Sequence, residues 1–240
     1  MGVGNGVSSA GMEGPAIRNP QSPIRNPRDW GLYLVTDRTQ TEGHDLLEVV
    51  NRALAGGVRA VQLREKDLPT LELYQLAGKL LARTRATGAA LLINDRVDVA
   101  LALDADGVHL TRKSLPPAEA RGLLGPSKLL GISCHSPAEL LEAVAGGVDF
   151  VVLGPIFETP SKRPYGPPLG SRALREARAL TSLPLVAIGG IMPTRVPEVT
   201  AAGADGVAVI SAVMAAPDPA TAAADLLAAV AAAKRCGMVE

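Results

Sequence analysis

Several short polar clusters, each set directly behind an apolar run, carry residue types that bind anions or move protons. The densest is Gln62-Leu63-Arg64-Glu65-Lys66. An arginine grips phosphate through paired N–H groups and a lysine adds a compact charge, so Arg64 and Lys66 suit a polyanion. Alternation along an extended segment puts Gln62, Arg64 and Lys66 on one face. The plainer alternative is a solvated turn in which Glu65 pairs locally. Asn94-Asp95 sets an amide beside a carboxylate. That pair suits Mg²⁺, which takes few protein ligands and completes its shell with water and phosphate. Helix capping competes, because both residue types are favoured caps.

Ser133-Cys134-His135-Ser136 supplies a histidine where a group titrating near neutrality can transfer a proton. The other two histidines offer less: His44 precedes a helical pattern, and His109 lies inside an apolar run. The long stretch 154–168 contains Thr159, Ser161, Lys162 and Arg163, hydroxyls and positive charge suited to phosphate. Gly189-Gly190 lets backbone N–H groups approach an anion closely, and Ile210-Ser211 opens a helical stretch whose first amides do the same. A tight Gly-Gly turn is the structural alternative. Residue types alone thus predict two anionic sites, one at 189–211 and one near Arg64, Lys66, Asn94 and Asp95.

These clusters need a scaffold that gathers distant segments. Apolar runs at 32–35, 60–63, 90–93, 107–110, 129–132, 150–153, 185–188 and 206–210 read as buried strands, with helical spacing between them. Strand and helix alternating in this way predict an α/β protein, a single (β/α)8 TIM barrel whose catalytic face lies at the C-terminal strand ends. An open doubly wound sheet is the rival, but the first strand lacks the glycine-rich dinucleotide turn. Hydrophobic residues make up 47% of the chain and aromatics 2%, which predicts an interior of Ala, Val, Leu and Ile. Residues 1–28, rich in Gly, Ser, Asn and Pro with Ile-Arg-Asn-Pro repeated at 17–20 and 24–27, are expected to be a disordered tail ahead of a barrel over 29–236.

Lys plus Arg and Asp plus Glu number 24 each, so no global field points to nucleic acid or a membrane surface. Cys134 and Cys236 form neither a disulfide framework nor a zinc pattern. With no apolar run of membrane length and no signal-peptide pattern, a cytoplasmic location is expected. The sequence leaves oligomeric state open, a homodimer included.

In this order and spacing, the clusters resemble the thiamine phosphate synthase/TenI family over essentially all of residues 31–232. Carrying the resemblance are Gln62–Lys66, Asn94-Asp95, Ala105–Leu110, Ser133-Cys134-His135, Gly154–Phe157 with Lys162, Ala187–Ile191 and Ala202–Gly206. It implies thiamine biosynthesis from small phosphorylated pyrimidine and thiazole substrates. Gln62, Arg64, Lys66, Asn94, Ser133 and Lys162 would bind a pyrimidine diphosphate, and Asp95 would ligate Mg²⁺. Thr159, Ser161, Gly189, Gly190, Ile210 and Ser211 would hold the thiazole phosphate. His135, Ser133 and Lys162 would stand at the reacting centre.

Two reactions occur in that family. A synthase joins pyrimidine and thiazole with release of pyrophosphate; a TenI-type tautomerase isomerises a thiazole carboxylate phosphate without a metal, and His135 would be its acid/base. Synthases usually carry Gly-Gln-Glu-Asp after strand four, whereas this chain has Thr111-Arg112-Lys113-Ser114, so Ser114 replaces a second Mg²⁺ carboxylate. The runs 157–162 and Cys134-His135-Ser136 are closer to TenI, while Gln62, Lys66 and Asp95 favour the synthase. Another phosphate-binding barrel enzyme and a non-catalytic regulator that binds thiamine phosphates are the remaining alternatives.

Overall fold

The computed structural model describes residues 26–159 and 166–236. Branched aliphatic runs form eight short strands: β1 (Leu32–Val35), β2 (Ala60–Leu63), β3 (Ala90–Asn94), β4 (Gly107–Leu110), β5 (Leu129–Cys134), β6 (Phe150–Leu153), β7 (Leu185–Ile188) and β8 (Gly206–Val209). They pair in parallel, each with its neighbour in sequence, and β8 closes back onto β1. This is the predicted closed barrel. Between the strands run α1 (Leu46–Ala55), α2 (Thr70–Thr87), α3 (Val97–Ala102), α4 (Pro117–Leu124), α5 (Pro137–Ala145), α6 (Gly170–Leu180) and α7 (Val196–Ala201). A short α8 (Ser211–Met214) and the long α9 (Pro219–Cys236) follow β8.

Local chemistry sets the helix ends. Asp45 caps α1 by accepting from the Glu48 amide, and Ser136 caps α5 by accepting from the Glu139 amide. Gly88 ends α2 in the left-handed conformation that favours glycine. Alternation along the strands sends Leu34, Val61, Leu91, Ile93, Val108, Leu130 and Val151 outward against the helices.

The inward face departs from the expected aliphatic filling. Tyr33 and Phe150 project inside with Trp30, which lies just ahead of β1, and His109 joins them at ring distances of 5.7 Å from Tyr33 and Phe150. Trp30 stands edge-on to Phe150 with centroids 5.1 Å apart. Composition hid this because half of a small aromatic set (two Phe, one Trp, three Tyr) is concentrated in one place. Small residues opposite make the room. Ala60, Ala90 and Ala208 face inward, and a Cβ at Gly131 would lie 2.2 Å from the Phe150 ring.

Strand register is clasped at the N-terminal rim by a repeated aspartate. Asp106 accepts from the Leu91 amide at 2.9 Å, Asp149 from Leu130 at 2.7 Å, and Asp205 from Leu185 at 2.8 Å. Each aspartate's own N–H donates back to the carbonyl of the same partner residue. The Ala-Asp-Gly motifs at 105–107 and 204–206 therefore act at the face opposite the catalytic end. Arg121 pairs with Asp149 at 2.6 Å, and Arg28 and Arg178 pair with Asp205. Residues 26–28, counted with the tail by composition, enter a 3₁₀ turn that this Arg28 contact holds to the rim. The rest of the expected tail, residues 1–25, lies outside the described residues.

Removing the Asp149 carboxylate takes the acceptor from the Leu130 amide and from Arg121 Nη2 in a half-buried site, while Arg121 keeps the carbonyls of Gly125, Lys128 and Gly147. Asp149→Ala is expected to lower stability by about 1–3 kcal/mol. In urea unfolding, the midpoint should fall at unchanged m-value, because the fold and its buried surface persist.

Candidate functional site

The C-terminal strand ends enclose a cavity of about 360 Å³, within the ordinary range for a small-molecule site. Gln62, Arg64, Asn94 and Ser133 line it on one side. Thr159, Gly189, Gly190, Ile210 and Ser211 line it on the other, and His135 also reaches it. Most of the residues nominated from sequence are thus brought together from six different segments.

The alternation expected across Gln62–Lys66 holds for its first half. Gln62 and Arg64 face the cavity, whereas Glu65 turns away and is buried. Its carboxylate accepts from the Thr36 hydroxyl at 2.7 Å and from the Arg38 amide at 3.1 Å, with the Arg38 guanidinium at 3.2 Å. Glu65 therefore pairs with the loop after β1 instead of locally, and ties two strand ends together. Thr36 completes the tie by accepting from the Arg64 amide at 3.0 Å. Lys66 is exposed in the turn that begins there, where the alternation carried past β2 by Arg64 and Glu65 ends.

Asn94 ends β3 pointing inward, and its carbonyl oxygen is buried with no hydrogen-bond partner among the described residues. A buried orphan acceptor beside a cavity is a place for a ligand donor. Asp95 adopts a left-handed φ of 65° and is exposed beyond the cavity wall. Arg96, which feels the Asp95 charge, is committed to a bidentate pair with Asp98 and a hydrogen bond to Thr70. Neither capping bond expected of Asn94-Asp95 forms, and α3 has no side-chain cap. Ser114 turns its hydroxyl onto its own loop, accepting from the Thr111 amide at 2.8 Å. No group of three or more His, Cys, Asp or Glu poised around a metal occurs among the described residues. An exposed Asp95 fits Mg²⁺ only as an ion held largely by substrate phosphate and water.

Behind the cavity floor runs a chain of polar side chains inside the barrel. Gln62 Nε2 donates to the Tyr33 hydroxyl at 3.2 Å, that hydroxyl lies 3.4 Å from His109 Nδ1, and His109 Nε2 lies 2.9 Å from Ser133 Oγ. Burial holds the Tyr33 phenol well above its usual range. Burial, helped by the positive charge of Arg64, pushes the His109 imidazole down to about 3. From sequence His109 offers little, because it sits within the apolar run that becomes β4. Its register partner is Asn94, so the same parity that aims Asn94 inward aims His109 inward too. Tyr33 escaped notice for the same reason.

His135 sits at the mouth, with its amide donating to Glu139 at 2.8 Å and Nδ1 3.2 Å from the same carboxylate. Cys134 beside it is no nucleophile at neutral pH. Burial, with the nearby Glu139 and Glu142 charges, pushes its thiol up to about 12.

The glycine wall is built by close approach. The amides of Ile156 and Phe157 donate to the carbonyls of Ile188 and Gly189 at 2.8 and 3.0 Å, so the segment after β6 lies along β7. A Cβ at Gly190, whose φ is +63°, would lie 2.6 Å from the Glu158 carbonyl oxygen. Arg195, which no sequence signal singled out, donates to the Gly190 carbonyl at 2.7 Å and stacks 4.7 Å above the Phe157 ring. Ser211 opens α8 and lines the cavity, at the recurrent phosphate position of this fold. Ser161 and Lys162 lie outside the described residues.

The family model described as thiamine monophosphate synthase matches residues 32–213. The chain belongs to that family. It is 54% identical over 80% of its length to a putative thiamine-phosphate synthase of Geobacter sulfurreducens, covering 90% of that protein. It is 48% identical to the thiamine-phosphate synthase of Moorella thermoacetica, over 81% of this chain and 92% of the relative. Among solved structures, thiamine phosphate pyrophosphorylase from Pyrococcus furiosus superposes with a TM-score of 0.79 at 38% identity, covering 86% of this chain and 98% of that one.

His109 also links the site to acid stability. An imidazole lowered from 6.5 to about 3 by folding binds fewer protons folded than unfolded between those values. Its contribution to stability is full above pH 6.5 and is lost as pH falls towards 3. The slope is at most about 1.4 kcal/mol per pH unit. His109→Gln should flatten the fall of the urea midpoint below pH 6.5, measured beside the parent protein.

Proposed function

We propose that this chain is a thiamine-phosphate synthase. It joins 4-amino-2-methyl-5-(diphosphooxymethyl)pyrimidine to a thiazole phosphate or its carboxylate, releasing pyrophosphate. The observation that carries the reading is one cavity shared by two walls, in a chain of this family: Gln62, Arg64, Asn94 and Ser133 face Thr159, Gly189, Gly190, Ile210 and Ser211.

In this reading the pyrimidine ring lies on the floor against Gln62, Asn94 and Ser133. Arg64, with Lys66 and Lys162, holds the diphosphate and stabilises charge as the C–O bond breaks and its electron pair leaves with pyrophosphate. The amides of Gly189, Gly190 and Ser211, with Thr159 and Ser161, hold the thiazole phosphate. The thiazole nitrogen then forms the new C–N bond to the pyrimidine methylene carbon. Holding both substrates in one cavity supplies the proximity that makes capture faster than loss to water. Asp95 is the residue that would hold Mg²⁺, whose charge would offset that of the departing pyrophosphate. Ser114 cannot share this role as a carboxylate does. No helix among the described residues is long and apolar enough to cross a membrane, and a cytoplasmic location is part of the proposal.

The purified protein, given both substrates and Mg²⁺, should form thiamine phosphate over time. Arg64→Ala should lower kcat/KM by about a hundredfold or more, since it removes a charged contact to the departing group. Absence of product, together with isomerisation of thiazole carboxylate phosphate that His135→Ala abolishes, would select the tautomerase instead. In a second experiment, Ser114→Asp should lower the Mg²⁺ concentration that gives half-maximal rate. An unchanged Mg²⁺ dependence would overturn the role given to position 114.

A further inference from the structure

Gln62, Tyr33, His109 and Ser133 lie on four different strands, and with the Gln62 amide nitrogen turned to Tyr33 the proton inventory of the chain they form sets its direction. A carboxamide nitrogen carries only donors, so Gln62 Nε2 donates to the Tyr33 oxygen at 3.2 Å. The Tyr33 hydroxyl has one proton, and its remaining polar partner among the described residues is His109 Nδ1. That nitrogen must accept. A neutral imidazole with an accepting Nδ1 carries its proton on Nε2, which then donates to Ser133 Oγ at 2.9 Å. Ser133 is left with its own proton free to turn into the cavity it lines.

We infer that Tyr33 and His109 are positioning residues that fix a one-way hydrogen-bond relay from Gln62 to Ser133, so that the cavity floor presents acceptors at Gln62 and Asn94 and a donor at Ser133. The two acceptors are independent. Gln62 spends its N–H on Tyr33 and keeps its carbonyl oxygen for the cavity, while the Asn94 carbonyl oxygen is buried without a partner among the described residues. An amino-substituted pyrimidine offers the complement: an exocyclic N–H₂ that donates twice and a neighbouring ring nitrogen that accepts. Its oxo counterpart offers a carbonyl and a ring N–H, which sets acceptor against acceptor and donor against donor. A site built on such pairing rejects the mismatched ligand strongly, because buried polar groups are then left unpaired. The reversed relay needs the Gln62 amide flipped and the proton on Nδ1, and it would favour the oxo ring.

The inference rests on the synthase reading for its ligand, but its first test does not. Nitrogen-15 spectra of labelled histidine in the free protein should show the fully buried His109 as the Nε2–H tautomer. The Nδ1–H tautomer would overturn the relay whether or not the protein makes thiamine phosphate. Calorimetry should then show the amino-pyrimidine monophosphate binding at least about a hundredfold more tightly than its oxo analogue; equal affinities would overturn the specificity. Tyr33→Phe keeps the ring packed against Trp30 and Phe150 and removes only the hydroxyl. It should raise KM for the pyrimidine diphosphate about tenfold and leave KM for the thiazole phosphate unchanged. His109→Gln, whose amide can still donate to Ser133, should retain more pyrimidine affinity than His109→Leu. Equal rises in both KM values, or no rescue by glutamine, would assign Tyr33 and His109 a packing role only.

Discussion

The barrel works as a site because its interior is filled from below. Closing eight parallel strands leaves a bore that side chains must pack, and here Trp30, Tyr33 and Phe150 fill it where Gly131 and inward alanines make room. That aromatic floor has a consequence for chemistry. It holds the Tyr33 hydroxyl and the His109 ring in a dry environment, where each polar atom must find a partner or remain costly. The cavity above inherits fixed hydrogen-bonding directions in place of mobile ones.

A second constraint acts around the rim of the cavity. Loops leaving the strands carry the charged groups, and loops move unless something ties them. Glu65 ties the β1 and β2 ends through Thr36 and Arg38, spending a buried carboxylate on architecture next to the residues that face the cavity. Arg195 does the corresponding work on the opposite wall, joining the Gly190 carbonyl to the Phe157 ring. The catalytic end is therefore held by polar ties. At the opposite end, the repeated aspartates Asp106, Asp149 and Asp205 set the register that brings the two walls face to face.

Family membership and the site complement each other. The relatives bear synthase names over nearly their whole length, and the cavity gathers Gln62, Arg64, Asn94 and Ser133 on one wall and Thr159, Gly189, Gly190, Ile210 and Ser211 on the other. The departure at Ser114 is accommodated structurally, since its hydroxyl closes the turn after β4 by accepting the Thr111 amide.

Much of this was legible in sequence. Eight apolar runs of strand length gave the barrel, because a parallel strand buried on both faces is apolar along most of its length. Polar clusters behind those runs located the mouth, because charge is tolerated only where strands emerge. Tertiary structure alone decided which way each group points. Glu65 and Lys66 belong to the same cluster as Gln62 and Arg64, yet one turns into a buried tie and the other outward where the strand gives way to a turn. His109 and Tyr33 looked like ordinary strand residues, and register with Asn94 and packing against Phe150 made them part of the floor. Residue type fixes what a side chain can do; its partners come from closure of the barrel, which brings residues far apart in sequence within hydrogen-bonding distance.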